Sequence, residues 1–355
     1  MTLEDLGYSV DLESYRKEQG LASLGIGRVI SEHKERYVVK TADHEYDAEI
    51  IGSLRFLAHQ RSDFPAVGDW VAMAEFDDNK ALIHAVLPRK TMIERQAVGK
   101  QGEKQIIATN IDFAFIVQAV DRDLNINRME RYLTICNTSG VNPLIILNKT
   151  DLIADHELTA LIANVQSRIR QVPVLAISNE TLSGIDVLKA QMLKGKTYCL
   201  LGSSGVGKST LLNNLSGRQI MKTIAISAST HKGRHATSHR ELFVLDSGGI
   251  LIDTPGMREV GLTDAATGLE MTFENIVQLA RDCRFKDCTH TTETGCAIVA
   301  AVENGEIDQT SYENYLKMAR EREHFESTTA ERRMKDKEFG KMIKNFKKNR
   351  KSNKY

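Results

Sequence analysis

No stretch of about 18 consecutive apolar residues occurs in the chain, so a membrane-spanning helix is not expected. The start lacks the basic-then-apolar pattern of a secretory leader. Glu4, Asp5, Asp11 and Glu13 fall there instead, which predicts neither secretion nor membrane insertion and points to the cytoplasm. Cysteine is scarce, five in 355 residues, and in a cytoplasmic protein disulfides are disfavoured. Tryptophan occurs once, at position 70, and reads as a core residue, with a base-stacking platform as the alternative. No excess of one sign of charge exists either, with 47 Lys/Arg against 47 Asp/Glu. The remaining composition, 41% apolar and 26% charged, is that of an ordinary soluble protein of two or three domains.

The balance of charge hides an asymmetry. Residues 331–355 hold 11 Lys/Arg against 3 Asp/Glu, which leaves 36 against 44 in the preceding 330. A basic tail on an acidic body suits a polyanion such as RNA, because each phosphate neutralised releases counterions. A solvated chain end is the alternative.

From Gly25 to Pro88 the pattern is one of short alternating runs, among them Gly27-Arg28-Val29-Ile30, Tyr46-Asp47-Ala48-Glu49-Ile50 and Ala81-Leu82-Ile83-His84-Ala85-Val86. About five strands fit, which predicts a small OB-fold barrel over residues 21–90 after an extension at 1–20 with no assigned role. Leu87-Pro88-Arg89-Lys90 then reads as a linker, and Glu94 to Glu103 as a polar connection. Beyond it the runs are continuous and apolar: Ile111 to Val117, Pro143 to Leu147, Val174 to Ile177, Thr197 to Leu201 and Gly249 to Ile252. Helical spacing lies between them, at Arg128 to Cys136 and near 155–170 and 183–193. Strands alternating with helices predict a mostly parallel, doubly wound α/β domain over 91–264, with ligands at the carboxyl ends of the strands.

Motifs stand at those ends. Gly202-Ser203-Ser204-Gly205-Val206-Gly207-Lys208-Ser209-Thr210 follows a strand-like run, precedes a helical one and fits G-x-x-x-x-G-K-[ST]. Glycines let backbone N–H groups turn toward phosphates, the helix start adds its positive dipole end, Lys208 would bridge the β- and γ-phosphates, and Ser209 would ligate Mg²⁺. A plain Gly/Ser turn is the bland alternative. Asn148-Lys149-Thr150-Asp151 looks like the N-K-x-D element of GTP-binding proteins. The Asp151 carboxylate would accept two hydrogen bonds from guanine, a donor pair that adenine lacks. Asn148 would tie the base loop to the phosphate loop, and the stem of Lys149 would lie over the ring. Ser178 resembles the S-A element whose loop meets guanine O6, with Asn179 where alanine is usual. N-K-T-D alone could be a solvated helix cap.

Asp253-Thr254-Pro255-Gly256 reads as D-x-x-G, with Asp253 holding Mg²⁺ through water and the Gly256 N–H at the γ-phosphate. In the loop Gly233 to Ser238, Thr237 is the expected switch threonine on Mg²⁺. Met257 stands where Ras-like proteins carry a water-orienting Gln. Because N-K-T-D and Ser178 precede the phosphate loop, the domain is expected to be circularly permuted, which a fold tolerates when its termini and new junction are on the surface. Cys283, Cys288, His290 and Cys296 then form a Cys₃His set suited to one structural Zn²⁺, against a coincidental cluster, in a helical segment at 265–330. Cys136 and Cys199 read as buried core.

With these motifs in place the chain resembles the RsgA (YjeQ/YloQ) family of circularly permuted GTPases. The resemblance covers about residues 20–325: the barrel, N-K-x-D ahead of the phosphate loop, Gly233-Arg234-His235-Ala236-Thr237, the Asp253 to Gly256 turn and the Asp287-Cys288-Thr289-His290 to Gly295-Cys296 stretch. It implies a late assembly factor of the 30S ribosomal subunit, acting as a monomer that binds 16S rRNA and hydrolyses GTP to GDP with stimulation by the subunit. It also implies that His235 takes the place of the missing Gln. Ala236, Ser238 and Thr294 depart from the family's usual threonines and proline without removing a ligand. The rival readings are an ATP-dependent or small-molecule kinase and an RNA-binding module without turnover.

Overall fold

The structure, a computed structural model, describes residues 1–33, 35–77, 79–96, 104–121, 124–219, 240–253 and 265–326. Residues 1–9 lead into helix α1 (Val10–Glu18), whose N-cap Ser9 accepts the Leu12 N–H at 3.4 Å. The alternating segment then closes into a barrel. Strands β1 (Gly25–His33), β2 (Arg36–Lys40), β3 (Glu45–Ile50), β4 (Trp70–Asp77) and β5 (Lys80–Val86) pair in the ring β1-β2-β3-β5-β4-β1. The β3–β5 pairing is parallel and the rest are antiparallel, with a short helix α2 (Gly52–Leu57) inserted between β3 and β4. Alternation drives the closure: Tyr46, Ala48 and Ile50 point inward with Val29, Tyr37, Val39, Val71, Met73 and Ile83.

Trp70 is a core residue, as its sequence context suggests. It is 1% exposed and packs with Leu6, Ile26, Ala72 and Leu87, its ring 4.8 Å from that of Tyr8. The first eight residues therefore help to build the barrel's outer core. Arg28 ties them in place. Its buried guanidinium donates to the carbonyls of Leu6 (2.6 Å), Gly68 (3.1 Å) and Asn110 (3.1 Å), joining the N-terminus, a barrel loop and the start of the next domain. Burial pushes its pKa down to about 10, so it remains charged at neutral pH, with three carbonyl dipoles replacing water.

Residues 87–90 are a brace rather than a simple linker. Arg89 forks onto buried Asp69, Nε to Oδ1 at 2.9 Å and an Nη to Oδ2 at 2.7 Å, and also donates to the carbonyls of Ser62 and Phe64. The first residues of the expected polar connection, Glu94 to Gln96, lie in a strand, and 97–103 fall outside the described residues. Strands β6 (Met92–Gln96) and β7 (Lys104–Thr109) form an antiparallel hairpin, with Ile93, Ile106, Ile107 and Ala108 buried. The apolar positions flank that polar stretch, at Ile93 and at Ile106 to Ala108, too few on each side to reveal a strand period.

Next come β8 (Phe113–Ala119), α3 (Ile126–Ser139), β9 (Asn142–Asn148), α4 (Asp155–Arg168), β10 (Val174–Ala176), α5 (Ile185–Gln191), β11 (Thr197–Leu201), α6 (Lys208–Ser216), β12 (Glu241–Val244) and β13 (Ile250–Asp253). The order across the sheet is β10-β9-β8-β11-β13-β12, parallel except for β12. Successive residues feed opposite faces. Ala114, Ile116, Ile145, Leu147, Cys199 and Leu201 face α3 and α4, while Phe115, Val117, Leu144, Ile146, Tyr198 and Leu200 face α5 and α6. Cys136 and Cys199 are both buried, and burial pushes the Cys136 thiol up to about 12. The far half of β1 meets β12 at Ser31 and Glu241, so barrel and α/β layer share one eleven-stranded sheet.

Helices α7 (Ala266–Thr272), α8 (Glu274–Ala280), α9 (Ala297–Glu303) and α10 (Gln309–Glu326) complete the described chain. Their apolar residues, including Leu269, Phe273, Ile276, Ile298 and Met318, are continuous with the core on the α3 face of the sheet. α7 lies so close to α3 that a Cβ on Gly268 would stand 2.4 Å from the Thr134 carbonyl oxygen. Among the described residues no helix is long and apolar enough to cross a membrane.

Removing one partner of a buried ion pair strands the other, which costs about 3–5 kcal/mol. Asp69→Ala also deprives the Ala66 N–H of its acceptor, 2.8 Å away. Urea unfolding followed through the fluorescence of Trp70 is expected to show a loss of that size. A midpoint equal to wild type would show that the brace carries no stability.

Candidate nucleotide site and metal centre

The phosphate loop leaves the sheet where β11, buried along its whole length, ends at Leu201. Gly202, Gly205 and Gly207 all have positive φ, at 152°, 86° and 97°. At Gly202 a Cβ would lie 2.4 Å from the Val117 carbonyl oxygen of β8, so a side chain there would displace the loop from the sheet. α6 begins at Lys208, and its first turn offers N–H groups with no helical acceptor. The Lys208 ammonium folds back onto the loop, donating to the carbonyls of Gly202 at 2.8 Å and Ser203 at 2.6 Å. Ser203 is buried, and its hydroxyl accepts from Arg128 of α3 at 2.5 Å, a contact no local pattern announces. Ser204, Ser209 and Thr210 are half-buried, Gly205 is exposed and Val206 is buried.

The N-K-T-D segment ends β9 beside this loop. Asn148 is fully buried. Its amide donates to the Val206 carbonyl at 2.8 Å, and its Oδ1 accepts the Asn179 N–H at 3.2 Å. Lys149 takes a left-handed backbone, φ 66°, and its ammonium lies 2.7 Å from Asp121. Asp151 is exposed, with Oδ1 accepting the Ser178 hydroxyl at 2.5 Å. Ser178 in turn accepts the N–H groups of Glu180 and Thr181 at 3.2 and 3.1 Å, which leaves its own proton for Asp151. The arrangement presents a carboxylate edge at the loop mouth, oriented from behind. Asn179, a departure from the usual alanine, also touches the phosphate loop, its Nδ2 donating to the Gly207 carbonyl at 2.9 Å.

Asp253 ends β13 and is nearly buried. β13 pairs in parallel with β11, Ile252 beside Cys199, so Asp253 emerges at the same sheet edge as the phosphate loop. His235, Thr237, Gly256 and Met257 lie outside the described residues, as does the basic tail at 331–355.

In the C-terminal segment the side chains of Cys283, Cys288, His290 and Cys296 converge, all four ligand atoms within 4.8 Å of one another. The Cys283 and Cys296 sulfurs are 3.8 Å apart, and His290 Nδ1 lies 3.5 and 3.7 Å from them. Zinc bonds of about 2.3 Å to sulfur and 2.0 Å to nitrogen require tetrahedral edges of about 3.5–3.8 Å, so the donor set fits such an ion. All five cysteines are free thiols. Glu293 orders the loop between ligands. It accepts the N–H groups of Thr289, Thr291 and Thr292, and the Thr289 side chain together with these bonds holds its carboxyl well below the usual range. Burial pushes the Cys288 thiol up to about 11 and lowers the His290 imidazole. Cys296 caps α9, its sulfur accepting the Val299 N–H at 3.5 Å, and Tyr312 of α10 holds the His290 carbonyl at 2.6 Å.

The profile of the RsgA GTPase family matches residues 86–263. "Small ribosomal subunit biogenesis GTPase RsgA 2" of Listeria monocytogenes serotype 4b (strain F2365) is 42% identical over 322 residues, 90% of this chain and 89% of its own length. RsgA 1 of Bacteroides thetaiotaomicron, described in the same words, is 39% identical over 348 residues, 98% and 97% of the two chains. Among solved structures, YjeQ from Thermotoga maritima superposes with a TM-score of 0.61 at 26% identity, covering 82% of this chain and 96% of that one. YloQ, a circularly permuted GTPase, gives 0.56 at 22% identity, covering 86% and 97%, a likeness of fold alone.

Proposed function

This chain belongs to the RsgA family of GTPases and is a GTP hydrolase, and from that membership we propose that it is a late assembly factor of the small ribosomal subunit. Its partners are the 30S particle and 16S rRNA, and it works in the cytoplasm as a monomer. The observation that carries the reading is the junction at Val206. There the N-K-T-D asparagine, which precedes the phosphate loop in the chain, meets that loop in space. The barrel, residues 21–90, is read as an OB-fold from its closed strand order, with one face for RNA. Residues 91–264 form the permuted GTPase domain, 265–330 the zinc-binding segment and 331–355 a basic grip on RNA, with 1–20 as an extension packed on the barrel.

In this reading Lys208 exchanges the carbonyls of Gly202 and Ser203 for the β- and γ-phosphates, contacts between opposite charges replacing contacts between a charge and two dipoles. The backbone of residues 202–207 and the hydroxyls of Ser209 and Thr210 surround the phosphates. Ser209 and Thr237 would hold Mg²⁺, with Asp253 acting through water. The ion supplies neutralisation of the phosphate charge. Gly256 meets the γ-phosphate, and His235 aligns the attacking water. Asp151 selects guanine, oriented by Ser178, with Lys149 along the ring. In chain order the D-x-x-G segment precedes α7, which packs on α3, so in this reading closing of the switches is passed to the C-terminal helices.

Asp151→Asn keeps an oxygen for Ser178 but turns an N–H₂ toward the base. The expected result is a loss of GTP affinity of about 10- to 150-fold, from one charged hydrogen-bonding pair, and a shift of preference to xanthosine triphosphate. Unchanged GTP affinity without that shift would favour a kinase-like site.

Purified 30S subunits are expected to raise GTP turnover at least about tenfold, about 1.4 kcal/mol of barrier. That gain should shrink as salt rises and be lost in His235→Ala. If subunits leave turnover unchanged and His235→Ala is silent, the protein is a nucleotide-sensing RNA binder.

Freshly purified protein is expected to contain one zinc per chain, as a closed structural site retains its ion. Cys288→Ala should drop zinc well below stoichiometric and reduce solubility. Full solubility with little zinc in wild type would remove the structural-metal assignment.

A further inference from the structure

The residue that departs from the usual S-A element makes more contacts between the site's loops than any alanine could. Asn179 donates its backbone N–H to Asn148 Oδ1 at 3.2 Å and its Nδ2 to the Gly207 carbonyl at 2.9 Å. Asn214, two turns into α6, donates to both the carbonyl and the Oδ1 of Asn179, at 3.1 and 3.2 Å. The orientation of the amide follows from these partners. Flipping it would set Oδ1 against the Gly207 oxygen and Nδ2 against the Asn214 donor. Asn148 meanwhile holds the preceding carbonyl, that of Val206. Two consecutive phosphate-loop carbonyls are thus gripped by two asparagines from the base-recognition loops, and a third asparagine anchors the grip to α6.

The loop is shaped to admit them. A Cβ on Gly207 would lie 2.3 Å from Asn148 Nδ2 and 2.7 Å from Asn179 Nδ2, so both amides rest on the bare Cα. An alanine at 179 could keep the backbone contacts to Asn148 and Asn214 but not the side-chain donor to Gly207.

We propose that Asn179 is a positioning residue for nucleotide retention. It locks the phosphate loop to the base loops before nucleotide arrives, so that less ordering cost falls on binding and bound guanine nucleotide leaves more slowly. Its side chain acts through the phosphate loop, at Gly207, so losing that side chain changes retention without changing base choice. The inference rests on the reading of this site as a GTP site.

The test is stopped-flow release of a fluorescent GDP analogue from the full-length protein. Asn179→Ala restores the common residue of the S-A element, and is expected to raise the release rate about 3- to 10-fold. Asn179→Asp cannot donate to Gly207 and should raise it at least as much. The ratio of guanosine to xanthosine nucleotide affinity should stay at the wild-type value, and the KM for GTP should rise by the factor seen in release, the signature of lost uniform binding. In the Asn179→Ala background, Asn214→Ala should add little, because the two share one network. Release rates within twofold of wild type for both Ala and Asp, in proteins with wild-type circular dichroism, would overturn the proposal, as would a change in base preference. Should either variant misfold, Asn179→Ser, which is smaller and too short to reach Gly207, carries the same expectation. Failure of the wild-type protein to bind the GDP analogue in competition with GTP would instead overturn the GTP reading itself.

Discussion

One side-chain hydrogen bond between segments 58 positions apart organises the candidate nucleotide site: the Asn148 amide donating to the Val206 carbonyl. Asn148 is buried, so its amide must be satisfied or cost about 1–3 kcal/mol. That demand brings the end of β9 against the phosphate loop after β11. It also explains why the permuted chain order is harmless. The strands keep the spatial order β10-β9-β8-β11-β13, in which β8 separates the base-recognition strands from the phosphate strand, whichever segment is made first. Connectivity is carried by helices and loops on the surface, while the site depends only on which strand ends lie side by side.

Around that junction the three parts of the molecule are joined by buried polar contacts. Arg28 links the N-terminal segment, the barrel and residue 110, and the β1–β12 pairing extends the barrel into the α/β sheet. Helix α3 performs the corresponding role on the other side. Its Arg128 meets the phosphate-loop Ser203, its Arg131 pairs with Glu321 of α10, and its buried Glu130 is held by Arg168, Ser311 and Asn314. Burial dominates over these partners and raises the Glu130 carboxyl pKa. A single rigid helix therefore has the phosphate loop at one contact and the C-terminal helix at others. The boundary near residue 265 separates sequence motifs without separating hydrophobic cores.

Legibility in the sequence followed the range of the interaction. The phosphate loop, N-K-T-D and the Cys/His set were readable because each is a short local pattern whose residue types follow from its chemistry. The five barrel strands and the parallel strands were readable because burial on one face or two imposes a period of two or a continuous apolar run. The hairpin of β6 and β7 was not, since its buried residues, Ile93 and Ile106 to Ala108, are split by the intervening polar stretch. The first eight residues carried no motif, yet Leu6 and Tyr8 complete the packing around Trp70. Asn179 read as a departure from the S-A element, and Arg128 only as the start of a helical run.

The sequence by itself determined the chemistry available: a glycine-rich loop with a lysine at a helix start, a carboxylate at the end of N-K-T-D, and a soft donor set whose spacing suits zinc. Those properties reside in residue types and short spacings, which survive any rearrangement of the chain. Only the tertiary structure decided how the loops are held together: that Asn148 and Asn179 grip neighbouring carbonyls, that Ser178 turns Asp151, and that Cys283 and Cys296 stand 3.8 Å apart. Hydrogen bonds of about 3 Å depend on the register and twist of strands far apart in the chain, and no local pattern encodes that geometry.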